Sequence, residues 1–203
     1  HNVLFGMDSV GAIRKSFGSV DAVIANNVFN HANDPINFAS AVSDILNEEG
    51  LFIFELPYWL NTVRDYKFDQ IYHEHVTYFT VKYAYNLLEK QGLEIFKIQV
   101  VDYHGGSLRI FCRKKENIEM NQQVYDMISE EQDAGLFDEQ TYTKFMKQLK
   151  NNRINTMSRL YEIKNKNIPI VGIGAAAKAN TFLNFYNIDN TILDYVTDAS
   201  EYK

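Results

Sequence analysis

Asp21-Ala-Val-Ile-Ala25, a helix opened by Asp34-Pro35, and Leu51-Phe-Ile-Phe-Glu55 follow one another near the start of the chain. The first run is apolar, introduced by an acid, and has the length of a buried parallel strand. Asp34 is placed to cap a helix, with Pro35 at its first position, where a missing N–H costs nothing. Phe38, Val42, Ile45 and Leu46 then fall on one face at helical spacing. Glu49-Gly50 closes that helix, and residues 51–55 read as the next buried strand. Strand, helix, strand with tight turns predicts an α/β sheet.

Working outward, residues 9–17 read as a helix ended by Gly18, and residues 81–91 as another stopped by Gly92. Residues 93–101 and 107–113 read as two strands joined through His104-Gly105-Gly106, with the glycines making the turn. Residues 1–115 are thus expected to form one α/β unit. From 116 to 166 charged and amide residues dominate. Val124, Met127 and Ile128, then Phe145, Leu149, Ile154, Met157 and Leu160, recur at spacings of three and four, with a break near Gly135-Leu136. That pattern predicts a helical linker. Residues 167–203 restart the strand–helix grammar, with strands at 168–174 and 192–196 around a helix at 178–186. The chain opens on His1 and is expected to be a piece of a longer protein.

Composition narrows the function classes. Of 203 residues, 46% are hydrophobic and 23% charged, an ordinary globular balance that excludes wholesale disorder. The net charge of −6 argues against a protein that holds nucleic acid by neutralising phosphates. No run approaches the ~18 apolar residues of a membrane span. The lone Cys112 excludes an internal disulfide or a multi-cysteine zinc site within these residues, and is compatible with a reducing cytoplasm.

Five stretches carry candidate chemistry. The densest is 69–79, where Tyr72, His73, Glu74, His75 and Tyr78 supply bases, acids and orienting groups. Imidazole titrates near neutral pH, and a carboxylate beside it can fix its tautomer. His73 and His75 at i, i+2 would face together on a strand but not on a helix. A metal site built on them is the alternative to acid–base work, and a hydrogen-bonded polar loop is the plainer one. The second stretch, Asn26-Asn27-Val-Phe-Asn30-His31, directly follows the first strand. In open parallel sheets ligands bind beyond the carboxyl ends of strands. Amides there can read an adenine or a sugar hydroxyl, or simply cap the turn. Glu55-Leu-Pro57-Tyr58 ends the next strand on the same edge. His104-Gly105-Gly106-Ser107 is better explained as a turn than as a ligand loop. Last, Gly172-Ile-Gly174 followed by Lys178 and Asn180 can offer backbone N–H groups to a phosphate at a helix start. It lacks the P-loop ending, and Ala177 stands where Gly-x-Gly-x-x-Gly needs its third glycine.

Four of these elements, in order, resemble the C-methyltransferases that act on nucleotide-linked keto-deoxysugars. They are Asp21-Ala-Val-Ile-Ala-Asn-Asn-Val-Phe-Asn-His31, Phe54-Glu-Leu-Pro-Tyr58, Phe68-Asp-Gln-Ile-Tyr-His-Glu-His75 with Tyr78, and Gly172-Ile-Gly-Ala-Ala-Ala-Lys-Ala-Asn-Thr181. The last departs from the family pattern, which has Pro and Gly at the places of Ala176 and Ala179. The resemblance implies a partial class I, Rossmann-like methyltransferase domain, a helical bridge and the start of a second Rossmann-like α/β domain. It implies S-adenosylmethionine as cofactor, with zinc confined to an N-terminal cysteine module outside this sequence. The first part of the cofactor-binding domain is likewise expected to lie outside it, so that the fragment alone is inactive. The partner implied is a nucleotide-sugar small molecule, with no nucleic acid and no membrane. By resemblance His75 is the base, Glu74 tunes it, and Tyr72 and His31 hold the keto sugar. Asn27 and Asn26 would contact the cofactor, and Lys178, Asn180 and His104 the nucleotide sugar. No metal ligand is assigned. A metal-dependent enzyme on His73 and His75, or a non-catalytic nucleotide-sugar-binding module, are the alternatives.

Overall fold

A computed structural model describes residues 3–103, 105–116 and 118–200. The chain divides into two compact units, His1–Asp65 with Glu74–Phe137, and Tyr66–His73 with Asp138–Lys203. The expected helical stretch at 116–166 contains two helices, Gln122–Asp133 and Glu139–Lys164. It breaks at Gly135, which takes φ 66°, and its two helices go to different units.

The first unit opens with α1 (Met7–Phe17), ended by Gly18, which takes φ 76° and whose N–H donates to the Arg14 carbonyl at 2.8 Å. Next come β1 (Val20–Asn26), α2 (Pro35–Ile45) and β2 (Leu46–Pro57). β1 and β2 pair in parallel, so the strand–helix–strand unit is present. Asp34 caps α2 as its position predicts, its Oδ1 accepting from the Asn37 N–H at 2.9 Å. Two expectations need correction. First, α2 stops at Ile45 rather than at Glu49-Gly50, and residues 46–50 already belong to β2, with Leu46 opposite Val20. Leu46, 1% exposed in the strand, also falls at i+4 from Val42, so the apolar period runs on into the strand. Second, β1 reads as a buried strand, whereas among the described residues it pairs on one side only, with β2 in the order β1-β2-β4-β3, and there only Ala25 is buried and Ile24 is 65% exposed. An apolar run supplies the composition for burial, but neighbours on both sides supply the burial itself.

After β2 come α3 (Trp59–Arg64), α4 (Val81–Glu89), β3 (Leu93–Val101), β4 (Ser107–Lys114) and α5 (Gln122–Asp133). β4 pairs antiparallel with both β2 and β3. Gly105 and Gly106 hold φ 82° and 106° in the β3–β4 turn, which favours the plain turn reading of that stretch. Alternate residues of the two central strands, Phe52, Phe54 and Leu56 with Leu108, Ile110 and Cys112, are fully buried. Phe29 sits in the same core. Its ring stacks on Phe38 at 4.7 Å and meets Phe54 and Phe79 edge-on or tilted at 5.2 and 5.1 Å. This aromatic packing lies under the turn that follows β1, and so it positions the site.

The second unit holds α6 (Glu139–Lys164), β5 (Val171–Ile173), α7 (Ala177–Tyr186) and β6 (Tyr195–Thr197), with β5 and β6 parallel. Both strands are shorter than the sequence predicts, and Ile192 is buried in the turn before β6. A 3₁₀ turn at Phe68–Gln70 belongs to this unit. Phe68 packs there against Phe185 and Tyr186 of α7, at 4.4 and 5.8 Å. Among the described residues no helix is long and apolar enough to cross a membrane.

Candidate active site

At the carboxyl end of β1 the chain turns sharply. Asn27 takes φ 52°, a left-handed conformation that asparagine tolerates. Its N–H donates to the Glu55 carbonyl at 2.7 Å, extending the β1–β2 ladder. The Asn26 side chain is exposed and that of Asn27 half-buried. A 3₁₀ turn, Phe29–His31, follows. Phe29 drives it into the core, and the Asn30 carbonyl accepts from the N–H groups of Val76 and Thr77 at 3.0 and 3.1 Å. Those two bonds tie the turn to the segment carrying His75. As a result the rings of His31 and His75, 44 positions apart, meet edge to face with centroids 5.2 Å apart. His75 is buried at 8% exposure and His31 is half-buried. Asn30, 2% exposed, also turns its side-chain amide inward, where neither polar atom has a partner.

Glu55, on the same strand end as Pro57, is neutralised. Arg109, opposite it on β4, donates to its Oε2 from Nε at 2.8 Å and Nη2 at 2.7 Å. The tyrosine ending this motif, Tyr58, is buried, and burial together with the nearby Glu131 carboxylate pushes its hydroxyl pKa far up. Although that close, the hydroxyl does not meet hydrogen-bond geometry with any partner.

The Tyr-His-Glu-His element straddles the boundary between units: Tyr72 and His73 belong to the second, Glu74 and His75 to the first. His73 and Glu74 are exposed in a turn. The strand geometry that would bring His73 and His75 to one face is therefore absent. Among the described residues no three His, Cys, Asp or Glu side chains are grouped to hold a metal.

In the second unit, Lys178 on the first turn of α7 donates to Gln70 Oε1 at 3.0 Å and stands 6.0 Å from the Tyr72 ring centre. Burial lowers the pKa of its ammonium, against the opposing pull of Asp69. It lines a cavity of about 840 Å³ together with Asp69, Gly172, Gly174, Asn180 and Phe182. The phosphate cradle expected of the glycine turn is largely taken up by the fold. The Gly174 N–H donates to the Thr197 carbonyl at 2.7 Å, and the Ala175 N–H to Asp198 Oδ2 at 2.6 Å. An anion there would meet the Asp198 carboxylate. Asn180 is exposed, its side chain bonded to Asn184 at 2.8 Å. His104 lies outside the described residues.

The structure also brings forward residues that motif reading passes over. Phe29 and Asn30 organise the turn, and Glu131 is fully buried against α4. Glu131 had a sequence signal: with Val124 and Ile128 it forms an i, i+4, i+7 stripe, an acid on an otherwise apolar helical face.

A parallel strand–helix–strand unit with polar side chains at its carboxyl edge defines an α/β domain, and residues 2–98 match the methyltransferase domain family. The chain belongs to the family described as the C-methyltransferase C-terminal domain, which matches residues 102–203. It is 27% identical over 187 residues to the C-methyltransferase NovU of Streptomyces niveus, a match covering 92% of this chain and 44% of NovU. The chain thus spans less than half the length of that relative. Among solved structures, a methyltransferase complexed with the Haloferax volcanii Trm112 activator overlays with a TM-score of 0.42 at 17% identity, covering 48% of this chain and 55% of that one. The magnesium protoporphyrin IX methyltransferase ChlM of Synechocystis PCC 6803, solved with bound SAH, gives 0.38 at 13% identity, covering 48% and 46%. The family match from residue 102 includes β4 and α5, which are built into the first compact unit.

Proposed function

We propose that the full-length protein is an S-adenosylmethionine-dependent C-methyltransferase acting on a nucleotide-linked 4-keto-deoxysugar. The observation that carries this reading is the meeting of His31 and His75 beyond the carboxyl end of β1, in a chain of the C-methyltransferase family.

A C–H beside a ketone is weakly acidic, so a base must take its proton while donors stabilise the enolate oxygen. His75 is the base. Its burial against His31 limits water around the imidazole, and the Asn30 carbonyl fixes the adjoining backbone. His31 holds the keto oxygen, Tyr72 is a candidate contact for the sugar, and Glu74 tunes the electrostatics beside His75. The proton passes from carbon to the His75 imidazole, and the electron pair left on carbon is the nucleophile. S-adenosylmethionine, when bound, supplies the electrophilic methyl group. The exposed amide of Asn26 and the half-buried one of Asn27 fit a cofactor contact there, since each can both donate and accept. Lys178 and Asn180 serve the nucleotide sugar, with Lys178 the stronger candidate because Gln70 already orients its ammonium at the cavity wall.

The test is His75→Gln in the full-length protein. Turnover of a nucleotide-linked 4-keto-deoxysugar should fall by about 10²–10⁴-fold, the usual contribution of a general base, while calorimetric binding of S-adenosylmethionine stays unchanged. Wild-type turnover in that variant would remove His75 from the role.

A further inference from the structure

Two consecutive acids near the end of α5, Glu130 and Glu131, grip the roots of the segment that carries the Tyr-His-Glu-His element. That segment leaves α3 after Arg64 and enters α4 at Val81. Arg64 Nη2 donates to Glu130 Oε1 at 2.9 Å. On the other side, Glu131 Oε1 accepts from the Val81 N–H at 2.5 Å and Oε2 from the Lys82 N–H at 3.1 Å. With Thr80 Oγ1 accepting from the Tyr83 N–H at 3.0 Å, the first three amides of α4 are all satisfied by side chains.

The two contacts are unequal. The Arg64–Glu130 pair is about half exposed on both sides, so water screens it and its contribution is small. Glu131 is fully buried, and a buried carboxylate is tolerated only when its oxygens are engaged. Here the positive end of α4 and two N–H donors engage it. The backbone beside it is equally constrained. Tyr58 forms a bridge with Phe79, the Trp59 N–H donates to the Phe79 carbonyl at 3.1 Å, and the Asn30 carbonyl holds Val76 and Thr77. Residues 76–82 are thus anchored at both ends, with His75 directly before the first anchor.

We infer that Glu131 is a positioning residue for His75: by fixing the start of α4 it sets where the run 76–80 ends and hence where the His75 imidazole sits against His31. The inference rests on the reading of His75 as the base. Glu131, fully buried, offers no surface to a substrate. It acts through backbone, from a helix inside the residue range that matches the C-terminal-domain family.

The test uses full-length protein carrying Glu131→Ala, Glu131→Gln, Glu130→Ala and, as a separate control, His75→Gln. Three readouts are followed: kcat and KM for methyl transfer to a nucleotide-linked 4-keto-deoxysugar, amide hydrogen exchange of peptides covering 76–84, and the His75 imidazole resonance titrated by NMR. Glu131→Ala should raise exchange across 76–84 by about tenfold or more, as expected when a charged acceptor is lost, with α1–α2 peptides unchanged. It should also shift the His75 resonance and lower kcat more than it changes KM. Glu131→Gln keeps one acceptor oxygen and should recover part of each effect, which also covers the case of Glu131→Ala failing to fold. Glu130→Ala should stay within about twofold of wild type, as a screened surface pair predicts. Wild-type exchange and an unmoved His75 resonance in both Glu131 variants would overturn the inference. So would raised exchange with unchanged kcat. If His75→Gln itself leaves turnover intact, the base assignment fails, while the exchange and resonance data still report on the Glu131 anchor.

Discussion

Replacing Phe29 by alanine tests the link between core and site. Phe29 is fully buried, with ring neighbours Phe38, Phe52, Phe54 and Phe79 between 4.7 and 5.8 Å. An aromatic side chain buries at least about 150 Å², which at about 25 cal/mol per Å² is worth about 4 kcal/mol. That agrees with the roughly 3–5 kcal/mol found for core Phe→Ala substitutions. With a urea slope of about 2 kcal/mol per molar, the unfolding midpoint should fall by about 2 M. The assay is urea unfolding of the chain followed by the fluorescence of Trp59, its one tryptophan, which packs on Tyr78 within the same unit. Ile24→Ala is the matched control. Ile24 lies on the same β1–turn stretch but is 65% exposed, so it should change stability by no more than about 0.5 kcal/mol. Because Asn30 and His31 follow Phe29 directly, Phe29→Ala should also move the His75 imidazole resonance before global unfolding, and Ile24→Ala should not. A Phe29→Ala midpoint within about 0.3 M of wild type would mean that this packing does not hold the turn, and the structural argument for the His31–His75 meeting would fail with it.

Two further outcomes follow from local structure. Gly106→Ala combines a backbone at φ 106° with a methyl group driven into the Asn61 side chain, so a loss of about 1–3 kcal/mol in chemical unfolding is expected; a neutral result would mean that the β3–β4 turn relaxes freely. Glu94 is buried, which raises its carboxyl pKa, but bonds from Lys115 at 2.5 Å and Arg113 at 2.7 Å outweigh this and hold it below the ordinary 4.5. A lowered folded pKa contributes stability above the unfolded value and loses it as pH falls through the folded one. Unfolding followed from pH 7 downward should therefore lose stability below about 4.5 in the wild type, with Glu94→Gln flattening that acid limb; an unchanged limb would show the pair to be inert.

Much of the fold was legible because it is written in short-range patterns. The Asp34-Pro35 start of α2, the glycine stops at Gly18 and Gly92, and the strands read at 51–55 and 107–113 all depend on neighbours within a few residues. The errors share one cause. Leu46 continues the helical apolar spacing and is also buried in the strand, so periodicity alone could not end α2. β1 has a core-like composition, but its burial depends on which strands flank it. At the site, His31 and His75 were each legible as candidates, whereas the glycine turn at Gly172 read as open because the partners of its amides, Thr197 and Asp198, lie more than twenty residues downstream.

Local caps, periods and motifs suffice for the α/β grammar, the residue types available for acid–base chemistry and the family. Which of those residues meet depends on long-range packing. It paired His31 with His75 through the Asn30 carbonyl, neutralised Glu55 with Arg109, spent the Gly174 and Ala175 amides on β6 and Asp198, and buried Glu131 at the start of α4. Each of these contacts joins residues far apart in the chain, and its energy comes from desolvation and hydrogen-bond geometry that exist only once the strands and helices have packed.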